Sequence, residues 1–134
     1  MTIKEEKRET SQSLSYRPCI GIMLINQDKK IFLAKRIGVE KDAWQMPQGG
    51  IDPSETEEEA LFREMREEIG TNKAEIISKS TRPYIYDFPA DLQPRLWNGH
   101  YQGQRQIWYL MKFTGHENDI NLHTGTPEFC DWKW

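Results

Sequence analysis

Long hydrophobic runs are missing from this 134-residue sequence. No stretch approaches the roughly 18 apolar residues that a membrane-spanning helix needs. The opening MTIKEEKRETSQSLS has no apolar segment, which excludes a secretory signal there. Its Lys, Glu, Ser and Thr read as a flexible tail over 1–15. Cysteine is scarce. Cys19 and Cys130 form no C-x-x-C pair and no metal-ligand spacing, so a disulfide framework and a thiolate metal site are excluded. Both are expected as buried free thiols in a reducing cytosol, which gives a cytoplasmic location. A strong charge bias is also lacking: 18 Lys and Arg stand against 21 Asp and Glu, for a net charge of -3. That balance excludes a broad basic face for double-stranded DNA. It does not exclude a nucleotide or an RNA end held by a metal and a few arginines. Repeats, low-complexity tracts and linkers are absent too, so 16–134 reads as one domain with a single core.

What is present is a dense acidic segment, Gly49 to Thr71 (GGIDPSETEEEALFREMREEIGT). Glu64, Glu67 and Glu68 stand at i, i+3 and i+4, the spacing that puts side chains on one helix face. Like charges so placed repel by a few tenths of a kcal/mol, roughly, per pair. A hard divalent cation such as Mg²⁺ or Mn²⁺, which takes oxygen ligands, turns that repulsion into attraction. A merely solvated acidic face would show no fixed spacing.

The chain before this segment offers an apolar run Cys19 to Ile25, turn chemistry over Asn26 to Lys30, and a second run Ile31 to Ala34. Together they predict a β-hairpin. Ile37 to Ala43 reads as a polar connection, and Trp44 to Pro47 as a short extended piece. Ser54 with Glu57, or Thr56 with Glu59, fits a helix capping box, and the sequence does not choose. Ala60, Leu61, Met65 and Ile69 form an apolar stripe, and Gly70 suits the residue past a helix end. Glu75 to Ser80, Arg82 to Phe88 and Gln104 to Phe113 read as strands. Pro89 to Gly103 reads as a long loop and Gly115 to Pro127 as a second one. Strands around one long helix give an α/β or α+β domain.

The fixed positions Gly49, Glu55, Arg63, Glu64, Met65, Glu67, Glu68 and Gly70 carry a resemblance to the Nudix box, G-x5-E-x7-R-E-U-x-E-E-x-G-U, with U apolar. Thr71 departs from it at the final apolar position. Tyr16-Arg17-Pro18, Trp44 to Ile51, Gly103-Gln104-x-Gln106-x-Trp108 and Pro127 to Trp134 narrow the likeness. The sequence resembles the bacterial RNA pyrophosphohydrolases and the related dinucleoside polyphosphate hydrolases.

That resemblance implies a mixed sheet sandwiched between helices, with a strand-loop-helix catalytic motif. It implies metal-dependent hydrolysis of a 5′-triphosphate RNA, starting message decay, or of a dinucleoside polyphosphate. A nucleotide- or RNA-binding module without turnover would be expected to lack Glu67 or Glu68; an isomerase on the same scaffold is a remote further reading. The metal ligands implied are Glu64, Glu67, Glu68, the Gly49 carbonyl and Glu128. Glu64 is implied as a ligand, a general base, or both. Arg63, set on a different side of the helix from Glu64, would orient Glu55 or a helix glutamate through a bidentate pair. Arg17, Arg36, Gln48 and Gln104 match substrate contacts. Members of the group continue past the W-x-W segment into a C-terminal helix. The expectation for this chain is a truncated or unusual member with an incomplete nucleotide site. Trp44 and Trp108 are expected in the core rather than against a base. His100, His116 and His123 show no metal spacing.

Overall fold

A computed structural model describes residues 16–38, 43–89 and 101–134. The flexible tail expected over 1–15, the middle of the connection after Ile37, and the loop tip with Trp97 and His100 lie outside the described residues. The strands are β1 Tyr16–Ile25, β2 Leu33–Arg36, β3 Trp44–Gln45, β4 Gln48–Gly50, β5 Ala74–Lys79, β6 Tyr84–Asp87, β7 Gly103–Phe113 and β8 Phe129–Lys133. The helix α1 spans Glu57–Glu68, and a 3₁₀ turn spans Glu117–Asp119.

A five-stranded mixed sheet runs β4-β1-β7-β5, with β6 also paired to β7. β1 and β7 are parallel over ten positions, from Tyr16 beside Gly103 to Ile25 beside Lys112. All its other pairings are antiparallel. A second, antiparallel sheet has the order β3-β2-β8.

The first two apolar runs do meet as a tight turn. Phe32 N donates to Leu24 O at 2.8 Å, and Ile25 bridges Ile31. The expected hairpin goes no further, because β2 leaves to join β3 and β8. Hydrophobic pattern gives the strand but not the sheet it enters.

α1 starts at the second of the two possible caps. Thr56 Oγ1 accepts from Glu59 N at 3.1 Å, and the Glu59 carboxylate accepts from Thr56 N at 2.9 Å. Gly70, at φ 85°, takes the left-handed conformation past the helix end. All four stripe residues, Ala60, Leu61, Met65 and Ile69, are fully buried. They pack with Ile20, Ile22 and Leu24 of β1 and with Ile107, Tyr109 and Met111 of β7. Each fully buried Leu, Ile or Met contributes about 1.5–3 kcal/mol. Thr71, where the box expects an apolar residue, is itself buried, its Oγ1 accepting from Lys73 N at 3.1 Å.

Among the described residues α1 is the sole α-helix, so the sheet is not seen held between helices there. The gap between the sheets is filled by aromatics. Phe32 stacks on Trp132 at 5.6 Å, Trp132 meets Trp134 edge-on at 5.8 Å, and Trp134 meets Phe113 at 5.7 Å. Trp132 and Trp134 are therefore packing residues. Trp44 is half-buried, with the Lys133 ammonium 4.1 Å above its ring. Cys19 is buried as expected, but Cys130 is exposed, because β8 turns it away from the core-facing Phe129.

Candidate active site

β4 is short and glycine-rich because two side chains need its space. A Cβ at Gly49 would run into the Glu64 carboxylate, and one at Gly50 into the Arg17 guanidinium. α1 crosses above one face of β4 and β1 carries Arg17 to the other. Only backbone can thread between them.

Around this crossing lies a cleft of about 240 Å³. Glu64, Glu68 and Glu128 line one part of it; Arg17, Arg36, Gln48 and Gln104 line another. Cys19, Gly49 and Gly50 complete it. Eight of the sequence-derived site residues thus share one small space, although they come from β1, β2, β4, α1, β7 and the segment before β8. Glu128 is set beside Arg36 by a backbone bond, Ile37 N donating to Glu128 O at 2.9 Å.

Glu67 is not among the cleft's lining. It lines a neighbouring cavity of about 330 Å³ together with Glu68, Glu128 and Thr124. Glu68 and Glu128 divide the two spaces. Thr124 holds this second wall in place, its hydroxyl donating to Glu67 O at 2.9 Å. Residue spacing carries no signal for that threonine.

Glu55 also lies off the cleft, as the anchor of Arg63. Arg63 Nη2 donates to Glu55 Oε1 at 2.6 Å, and Nε to both Glu55 oxygens at 3.0 and 3.2 Å. The same guanidinium donates through Nη1 to Glu64 at 2.9 Å and Glu67 at 3.1 Å, and through Nη2 to Gly50 O at 2.9 Å. Arg63 therefore does not point away from Glu64; its long side chain reaches both helix glutamates. The Arg63 hydrogen bonds, with one from Asp52 N, hold the Glu55 carboxyl down at about 2.

Burial has the opposite effect inside the cleft. It pushes the Glu64 carboxyl up, against the pull of Arg63. It pushes Glu68 up to about 10, helped by a shared hydrogen bond with Glu128 and by the charge of Glu64. Glu68 Oε2 is buried with no hydrogen-bond partner. An orphaned carboxylate oxygen facing two more carboxylates is a donor set for a hard cation. Among the described residues no three His, Cys, Asp or Glu side chains are closed around a common point. Arg63 occupies Glu64 and Glu67 meanwhile, and Glu68 shares its hydrogen bond with Glu128. The residues fit a divalent cation by their chemistry.

The anion side has its own order. Gln106 Nε2 donates to Gln48 Oε1 at 3.0 Å and to Gln104 Oε1 at 2.8 Å. Both cleft glutamines thereby spend their carbonyls on Gln106, which directs their amide donors elsewhere. Gln106 went unassigned from sequence, although its alternation with Gln104 on a strand places both on one face.

Comparisons with known proteins agree with this geometry. A NUDIX domain model matches residues 15–134. The chain is 54% identical over 121 residues to the RNA pyrophosphohydrolase of Rickettsia typhi, covering 90% of this chain and 75% of that protein. The RNA pyrophosphohydrolase of Rickettsia bellii is 52% identical over 122 residues, with 91% and 76% covered. Among solved structures, the E. coli dihydroneopterin triphosphate pyrophosphohydrolase superposes with a TM-score of 0.65 at 20% identity, covering 89% of this chain and 81% of that one. A C. elegans Ap4A hydrolase binary complex gives 0.63 at 22%, with 88% and 78% covered. At such identities the structural likeness is one of fold.

Proposed function

The chain belongs to the Nudix family and is a hydrolase of phosphoanhydride bonds, and on that premise we propose that it removes pyrophosphate or phosphate from the 5′ end of triphosphorylated RNA. Loss of pyrophosphate, or of two phosphates in turn, leaves a 5′-monophosphate, and its formation starts message decay. The observation that carries this reading is the cleft in which Arg17, Arg36, Gln48 and Gln104 face Glu64, Glu68 and Glu128. Anion-binding groups and cation-binding groups share about 240 Å³, as a polyphosphate with its counter-cation requires.

In this reading Arg17 and Arg36 take up phosphate charge, Arg through its planar fork. Gln48 and Gln104 donate from amides already oriented by Gln106. Glu64, Glu67, Glu68, Glu128 and the Gly49 carbonyl hold the divalent cation, Mg²⁺ by its preference for oxygen, with Mn²⁺ as a substitute. Such a cation, when bound, offsets phosphate charge and acidifies water. Arg63 fixes Glu64 and Glu67, so that a carboxylate accepting the proton of the attacking water starts from a set position. Glu55 acts through Arg63 rather than on substrate. No helix among the described residues is long and apolar enough to cross a membrane. This reading puts the reaction in the cytoplasm, with the RNA it acts on.

The test is a paired turnover assay in Mg²⁺ and in Mn²⁺, with a short 5′-triphosphate RNA and with diadenosine tetraphosphate. A higher kcat/KM on the RNA, with pyrophosphate or phosphate released, is the expected result. Preference for the dinucleotide would move the chain to the dinucleoside polyphosphate reading. Cation binding with no turnover of either would make it a binding module.

A further inference from the structure

A cavity of about 420 Å³ lies outside the active-site cleft. Its walls include Met23 of β1 and Gln106, Trp108 and Leu110 of β7. These alternate with the core-facing Ile22, Leu24, Ile107, Tyr109 and Met111, so they stand on the opposite side of the sheet from the core. Met46 and Tyr84 add to the apolar lining, and Ser78, Lys79, Ser80 and Tyr109 also border the space. Trp108 was expected in the core; it is only half-buried and borders this space instead.

Three features make the cavity more than an apolar dent. First, the indole of Trp108 sits directly on the backbone of Gly21, where any Cβ would collide with its six-membered ring. The ring is a flat surface with a fixed seat. Second, Trp108 Nε1 donates to Gln106 Oε1 at 3.0 Å, and Gln106 in turn donates to Gln48 and Gln104 of the cleft. One hydrogen-bonded chain is therefore the wall between the two spaces. Third, Tyr84, opposite Gln106 on the edge strand β6, is 61% exposed at the rim. A large exposed aromatic beside an apolar cavity is a feature to be explained.

Resting on the RNA reading above, we propose that this cavity binds an unpaired base of the substrate RNA, downstream of the 5′ end held in the cleft. Trp108 is the stacking platform, Tyr84 the flanking ring, and Ser78 with Gln106 the polar edge. The volume falls within the range of small-molecule sites. Four residue steps along the strand lead from Gln104 to Trp108, about 13 Å at strand spacing, within reach of a nucleotide that follows the end. Aromatic platforms are the general means of holding splayed single-strand bases.

The test compares two four-nucleotide 5′-triphosphate RNAs, one intact and one abasic beyond its first nucleotide, on the wild type, Met23→Trp and Tyr84→Ala. The wild type is expected to show a KM about fivefold or more lower for the intact RNA, the size of a base–aromatic stack. Met23→Trp fills the cavity and should erase that difference while leaving kcat on the abasic RNA unchanged. Tyr84→Ala, at an exposed position, should reduce the difference without a folding defect. RNA turnover with a KM indifferent to the downstream bases overturns this inference alone, as does a full difference retained in a natively folded Met23→Trp. Turnover of diadenosine tetraphosphate with none of either RNA overturns the RNA reading and this inference with it.

Discussion

Replacing Arg63 by lysine keeps one positive charge and removes the fork that serves four partners. Glu55 is the most dependent of them. Its carboxyl is held at about 2 against an ordinary 4.5, chiefly by the Arg63 hydrogen bonds. Two and a half pH units, roughly, at about 1.4 kcal/mol each set a ceiling of about 3.4 kcal/mol. The two side chains keep 13% and 23% of their exposure, so water screens part of this. About 2 kcal/mol is the expected loss. The raised pKa of Arg63 is the same interaction seen from its other partner and adds nothing. A depressed carboxyl contributes stability above its unfolded value, near 4.5, and loses it as pH falls toward about 2. The gap between wild type and Arg63→Lys should thus be widest at neutral pH and narrow toward about pH 3. Urea unfolding without divalent cation at several pH values measures it, as a shift in midpoint with unchanged slope. Glu55→Gln and the double variant close the cycle, with a coupling above about 1 kcal/mol expected. A neutral-pH gap below about 0.5 kcal/mol, or one that does not change with pH, would refute the reasoning.

Glu68→Gln should abolish turnover while steadying the cation-free fold. With Glu68 raised to about 10, wild-type stability is fully present below about 4.5 and declines as pH rises toward 10, whereas the variant lacks that slope. Thermal melts with and without Mg²⁺ check both parts, and a variant that keeps the wild-type Mg²⁺ response would sink the ligand assignment. Thr56→Ala removes the acceptor for Glu59 N and should cost about 1 kcal/mol, with Thr56→Ser losing much less. Equal melting of all three proteins would show the cap to be idle.

The spacing from Gly49 to Gly70 made the helix, its buried stripe and its glutamates legible, because a helix face is a matter of counting residues. The same counting could not place Glu67 outside the cleft that holds Glu64 and Glu68. That depends on Arg63, which draws Glu67 to itself, and on where the segment before β8 delivers Glu128. Strand alternation located β1 and β7 but not the departure of β2 to a second sheet. The packing of Trp132 and Trp134 depends on Phe32 and Phe113, which are far from them in the chain. Trp108, expected in the core, borders a cavity instead. Its neighbour across the sheet is a glycine, and that pairing is invisible until β1 and β7 are laid side by side.

The parallel pairing of β1 with β7 also sets when the protein can begin to work. β1 is made early and its apolar CIGIMLI run has no long partner until β7 follows, about 90 residues later. At cellular synthesis rates that interval is on the order of 5–20 s. For that time a strand of high β-propensity stands without its neighbour, the situation in which nascent chains associate wrongly or recruit chaperones. Arg17 meets Gln104 only when it ends, so the anion side of the cleft does not exist before then.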